Sequence, residues 1–95
     1  MKKLKVGIIG TGMAFERLHY PAFQALADRY EITALCDINK EKAQAWAERL
    51  NLGADSLYED YRRMLEEKKL DLDVVDIMVP IELNFEVTEE VARKL

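Results

Sequence analysis

The sequence is short of the residues that would mark several functional classes. It has one cysteine, Cys36, one histidine, His19, and two prolines among its 95 residues. A single cysteine excludes an internal disulfide. Cys36 sits in an apolar run and reads as a buried strand thiol rather than a nucleophile, which suits a reducing, cytoplasmic setting. Basic residues are also scarce, with 14 Lys and Arg against 18 Asp and Glu and a net charge of −4. Phosphate neutralisation needs clustered cations, so nucleic acid is not an expected partner. The basic amphipathic face that would favour an anionic membrane is missing too. The apolar run after Met1-Lys2-Lys3-Leu4 is broken by Gly7, Gly10 and Gly12 and then meets Glu16 and Arg17. It is too short for a signal sequence or a bilayer span. The length suits one domain with a modest core.

What is present is an alternation of two hydrophobic periods. Lys5 to Ile9 is apolar and rich in β-branched residues, as in a strand covered on both faces. A helical stretch follows Gly10-Thr11-Gly12 and runs to about Asp28, and Pro21 predicts a kink or a second helix start near His19 to Pro21. Glu31 to Cys36 reads as the second strand, closed by Asp37. Asn39 is placed to cap a helix over Lys40 to Leu50, with Ala43, Trp46, Ala47 and Leu50 on one face and Gly53 as its C-terminal cap. Ala54 to Leu57 reads as a short edge strand, and Glu59 to Lys68 as a helix with Tyr61, Met64 and Leu65 inward. The run Glu66-Glu67-Lys68-Lys69 reads as its solvated end. Leu72 to Val79 is the last strand, stopped by Pro80. Leu83 to Leu95 is a helix with Leu83, Val87, Val91 and Leu95 in one stripe. The order β-α-β-α-(β)-α-β-α predicts an α/β, Rossmann-like parallel sheet with right-handed crossovers and helices on both faces.

The chemistry-bearing positions lie at the ends of those strands. Gly10-Thr11-Gly12 falls between the first strand and the first helix, the place of a phosphate-binding turn. Gly10 permits the tight turn, and Gly12 lacks the Cβ that would keep a pyrophosphate off the backbone. The first helical N–H groups, those of Met13 and Ala14, then face the anion together with the positive end of the helix dipole. The third glycine of the G-x-G-x-x-G pattern is replaced by Phe15, which must point elsewhere or push the helix away from the strand. Asp37 ends the second strand 25 positions after Gly12, near the roughly 20 expected for a carboxylate that accepts bonds from ribose hydroxyls and repels a 2′-phosphate. No arginine stands beside it in sequence, so NAD is favoured over NADP. Asn39 follows Asp37 closely and is counted with the cofactor-binding residues. Pro80 and Asn84 lie on the ligand-binding side of an open α/β sheet. They read equally as cofactor contacts or as strand stop and helix start. His19 reads as structural, because a general base needs a positioned partner that the sequence does not show. Asp76, in an apolar strand, needs a hydrogen bond or an edge position to offset its burial. No catalytic or metal-ligating residue is assigned.

Taken in order, K-V-G-I-I-G-T-G-M-A, H-Y-P-A-F, I-T-A-L-C-D-I-N-K-E-K-A, L-Y-E-D-Y-R-R-M-L and D-V-V-D-I-M-V-P-I-E-L-N resemble the N-terminal region of the glucose–fructose oxidoreductase, inositol dehydrogenase and rhizopine-catabolism (Gfo/Idh/MocA) family. The resemblance covers nearly the whole chain. It implies a Rossmann domain followed by a substrate domain, and hydride exchange between NAD(P) and sugars, cyclitols or related polyols. It also implies a pyrophosphate held by Gly10, Gly12, Met13 and Ala14, an acid at Asp37, and a P-x-x-L-H segment at Pro80-Ile81-Glu82-Leu83-Asn84. Phe15 replaces a small residue, and Asn84 stands where that family usually has histidine. The E-K-P segment with its proton-transfer lysine does not occur among the 95 residues. Residues 1–95 are therefore expected to be the NAD(P)-binding part of a dehydrogenase, binding cofactor without turning over substrate alone. A non-catalytic NAD-sensing module is the alternative. The last strand is expected to leave an open edge, at Val74 to Val79, through which chains self-associate.

Overall fold

The computed structural model describes residues 2–67 and 70–94. Four strands, β1 (Leu4–Ile9), β2 (Tyr30–Cys36), β3 (Leu57–Tyr58) and β4 (Val74–Ile77), form one sheet in the order β3-β2-β1-β4. All three pairings are parallel, as the alternating order of elements requires. The helices are α1 (Tyr20–Ala25), α2 (Lys40–Leu50), α3 (Tyr61–Glu66) and α4 (Ile81–Lys94).

Side-chain alternation along the strands sorts the core into two layers. Val6, Ile8 and Leu35 face one side, where Phe15, Trp46 and Ala47 cover them. Ile9, Ala34 and Cys36 face the other, under Met64, Val87 and Val91. The aromatic residues of the first layer interlock. Phe15 meets Trp46 edge-on at 4.9 Å between ring centroids, and Tyr20 meets Trp46 in the same way at 4.9 Å. Such pairs add roughly 0.5–1.5 kcal/mol each beyond the area they bury.

Several element boundaries differ from expectation, each for a local reason. The kink expected near Pro21 is a π-helical stretch, Phe15–His19, that runs directly into α1. The Tyr20 N–H donates to the carbonyl of Phe15, five residues back. The wide turn hands over to α1 near Pro21, which has no N–H to give the preceding turn. Gly53 does not cap α2. Asn51 does so, with φ 58° and ψ 43°, because asparagine tolerates the left-handed region better than most residues. Gly53 has an ordinary φ of −81° and precedes a 3-10 turn, Ala54–Ser56, so the edge strand starts only at Leu57. The helix expected from Glu59 begins at Tyr61, capped by the Asp60 carboxylate on the Arg62 N–H. Strand β4 is shorter than Leu72 to Val79. Helix α4 begins at Ile81, and Leu83 is 45% exposed rather than part of the buried stripe. Lys68, Lys69 and Leu95 lie outside the described residues.

Two polar residues satisfy each other at the open edge. Asp76 of β4 pairs in register with Ile8 and so faces the layer covered by the first helix. His19 Nδ1 lies 2.6 Å from its Oδ2. That bond answers the cost of a carboxylate in the sheet and ties the end of the π-helical stretch to β4.

Candidate functional site

Parallel strands deliver their C-terminal ends to one side of the sheet, and short backbone bonds knit those ends together. The Gly10 N–H donates to the Cys36 carbonyl at 2.8 Å, Met78 to Ile9 at 2.7 Å and Asp37 to Tyr58 at 3.1 Å. Gly10 has φ +96°, and a Cβ built there would stand 1.9 Å from the Met78 carbonyl oxygen. Only glycine allows both that backbone conformation and so close a crossing of the β4–α4 loop. Gly12 differs. A Cβ there would meet nothing within 4 Å. The space above it is open, and the N–H groups of the following helix turn have no intrahelical acceptor to serve. An open backbone of this kind can take an anion, and the residues present fit a pyrophosphate.

Beside the cradle, Asp37 is held at both oxygens. Oδ2 accepts the Thr11 N–H at 2.9 Å and the Thr11 hydroxyl at 2.5 Å, and Oδ1 accepts the Asn39 N–H at 2.8 Å. Burial alone would raise the Asp37 pKa. The Thr11 hydroxyl, the N–H groups of Asn39 and Thr11 and the charge of Lys42 outweigh it and hold the carboxyl below the usual range. Asp37 therefore stays ionised, with capacity left on Oδ1 for an outside donor.

These residues line one crevice of about 570 Å³. Gly10, Gly12, Asp37, Asn39 and Pro80 all border it, together with Ile38, Lys42, Tyr61, Arg62 and Leu83. Asn39 also caps α2, accepting the Lys42 N–H at 3.1 Å. Met13 is 65% exposed and lines an adjoining groove, and Ala14 borders neither cavity. Asn84 departs from expectation. It borders a different cavity, with Val79, Phe85, Thr88, Glu89 and Ala92, and accepts the Thr88 hydroxyl at 3.3 Å. Helix α4 begins early enough to turn position 84 away from the crevice. Phe15 blocks nothing. It is fully buried against Trp46 and lines neither the crevice nor the groove. Sequence reading gave Thr11 no role beyond its place in the turn, because its bond to Asp37 joins positions 26 apart.

The walls carry further chemistry. Arg62 bridges α3 to α4, donating to Glu86 at 2.9 Å and to Glu90 at 3.3 Å, and the bond to Glu90 raises its pKa. Burial pushes the Cys36 thiol up to about 12, with Asp37 and Asp60 adding to the shift. It is a neutral packing group there and no nucleophile. The Tyr61 hydroxyl is buried without a partner among the described residues.

Known proteins share this chain's family pattern and its fold. The sequence pattern of the oxidoreductase family GFO_IDH_MocA, described as an NAD-binding Rossmann fold, matches residues 4–94. An oxidoreductase of Thermotoga maritima is 34% identical, with a TM-score of 0.86 over 98% of this chain and 28% of its own. The WlbA dehydrogenase of Bordetella pertussis, solved in complex with NADH and UDP-GlcNAcA, is 25% identical, with a TM-score of 0.83 over 98% of this chain and 27% of its own. An uncharacterised protein of Saccharomyces cerevisiae, YMR315W, is 26% identical over 98% of this chain and 26% of its own length. The chain thus spans about a quarter of the length of these relatives.

Proposed function

Because the chain belongs to the Gfo/Idh/MocA oxidoreductase family, we propose that it is the dinucleotide-holding part of an NAD(H)-dependent oxidoreductase acting on a sugar, cyclitol or similar polyol. The observation that carries this reading is the open backbone at Gly12 beside an ionised, doubly held carboxylate at Asp37. The first offers N–H groups to a pyrophosphate. The second offers an acceptor to the adenosine ribose hydroxyls. Thr11 and Asn39 fix the Asp37 carboxylate before cofactor arrives, so less ordering cost falls on binding. Pro80 and Leu83 add apolar lining to the same crevice. When bound, the nicotinamide supplies the hydride acceptor or donor. The reading leaves the proton-transfer group for the substrate to residues outside this chain. A reducing, cytoplasmic setting fits its one free, buried thiol.

Calorimetric titration of NADH into the purified chain tests the proposal. Saturable binding is expected, with no NADH oxidation when carbonyl forms of sugars or polyols are added. A folded chain that gives no binding isotherm overturns the cofactor role. Turnover by the chain alone overturns the division of labour.

A further inference from the structure

The helix that starts at the glycine turn is held on two flanks. Its helical residues run from Met13 to Ala25. On one flank Phe15, fully buried, meets Trp46 of α2, the helix that packs on β2 and β3. On the other flank His19 reaches β4, at the opposite end of the sheet. Its Nδ1 lies 2.6 Å from Asp76 Oδ2, and the Asp76 side chain is only 15% exposed. Among the described residues this is the one side-chain hydrogen bond from that helix to a strand. Phe15 and His19 are the two ends of the widened, π-helical stretch, and wide turns of that kind recur at functional sites.

Strand β4 carries a second tie to the same unit. Two residues beyond Asp76, the Met78 N–H donates to the Ile9 carbonyl at 2.7 Å, and the Met78 carbonyl crosses close over Gly10. These contacts close a ring. It runs from Gly10 through the turn and along the helix to His19, across to Asp76, up β4 to Met78 and back to Gly10. The open backbone at Gly12 is part of that ring. A pair of apolar side chains at 19 and 76 would serve stability as well as the polar pair does. A hydrogen bond adds what apolar contact lacks, a set distance and direction. We propose that His19 and Asp76 are a positioning pair for the bound dinucleotide. Their bond fixes the start of the helix, at Gly12 and Met13, against the β4–α4 loop, so that a pyrophosphate meets a turn already ordered. The pair rests on the dinucleotide reading of the crevice. Neither residue lines that crevice, so the pair acts through the turn and not by touching the ligand. With Asp76 as acceptor, His19 Nδ1 is the donor and carries the proton.

Calorimetric titrations with NADH and ADP-ribose, and an NMR titration with adenosine, test it on the wild type, His19→Asn and the double variant His19→Leu/Asp76→Val. The asparagine keeps a nitrogen donor at the same branch of the side chain. The double variant exchanges both partners for apolar groups and leaves no orphaned carboxylate, so it should stay folded, which thermal melting checks. It is expected to bind NADH and ADP-ribose about tenfold more weakly than the wild type. Adenosine meets Asp37 but brings no phosphate to the turn, so its affinity should stay within about twofold. His19→Asn should bind NADH within about threefold of the wild type. A folded double variant that binds NADH as the wild type does overturns the pair's role. Equal losses for NADH and adenosine, or an asparagine variant no better than the double one, overturn it too. If the double variant does not fold, the wild type decides. His19 is the one histidine, so long-range nitrogen–proton NMR reads its ring without ambiguity. Nδ1 is expected to hold the proton, and its signal to move as NADH saturates the crevice. An Nδ1 without its proton, or a signal that NADH leaves unmoved, overturns the pair's role. A folded wild type that binds no NADH fails the cofactor reading itself, and the pair's role with it.

Discussion

A methyl group added at Gly12 and, separately, at Gly10 should divide cofactor binding from folding. At Gly12 the new Cβ meets nothing within 4 Å, and the backbone lies outside the left-handed region. Alanine there should leave stability unchanged or raise it by about 0.4–1 kcal/mol, since it restricts the unfolded chain. It does stand in the space through which a pyrophosphate reaches the backbone, so NADH affinity should fall about tenfold or more, about 1.4 kcal/mol. At Gly10 the Cβ would lie 1.9 Å from the Met78 oxygen and 2.7 Å from the Met78 carbonyl carbon. Those are backbone atoms and cannot rotate away. The φ of +96° adds about 1–2 kcal/mol of strain for alanine. Moving β4 aside strains the 2.7 Å bond from Met78 to Ile9, worth about 1 kcal/mol. Together these come to about 2–3 kcal/mol, against a typical total stability of about 5–15 kcal/mol. In a chain of this size that is a drop in Tm of roughly 10–20 °C. Thermal melts and NADH calorimetry on Gly12→Ala and Gly10→Ala measure both effects. A Gly12→Ala protein that binds NADH as the wild type does, or a Gly10→Ala protein that melts as the wild type does, would refute the reasoning.

Three further outcomes are expected. The Asp37 carboxyl titrates below its ordinary value in the folded chain, so its contribution is present above about pH 4 and lost as pH falls through the folded pKa. Asp37→Asn should therefore flatten the acid limb of a urea-stability profile, and an unchanged limb counts against the Thr11 and Asn39 bonds. Cys36 is 4% exposed with its thiol pushed up to about 12. A disulfide reagent at pH 8 should label it only as the chain unfolds, and prompt labelling of native protein contradicts that burial. The outer edge of β4 carries no strand among the described residues, and Phe85 nearby is 79% exposed. Sedimentation at high concentration should show self-association through the Val74 to Val79 edge, and a monomeric mass throughout rules it out.

Local signals account for the parts of the fold that sequence reading recovered. Strand periodicity, the glycine turn and the Asn39 cap each depend on residues within a few positions of one another, and their order leaves few parallel topologies. Boundaries were less legible, because tertiary contacts decide them. Phe15 illustrates this. Its size contradicts the three-glycine pattern, and only the pocket offered by Trp46 and Tyr20, together with the widened Phe15–His19 turn, shows how it is accommodated. Asn84 lines a different cavity from Pro80, a separation that its place in the sequence does not show.

The sequence by itself determined a nucleotide-type β-α-β order, a glycine turn and a carboxylate at the end of the second strand, since periodicity and spacing are properties of the chain alone. The tertiary structure alone decided what those residues face. It set Thr11 against Asp37 and His19 against Asp76. Side chains so far apart along the chain interact only after the sheet and its crossovers have brought them together, and no local period records that distance.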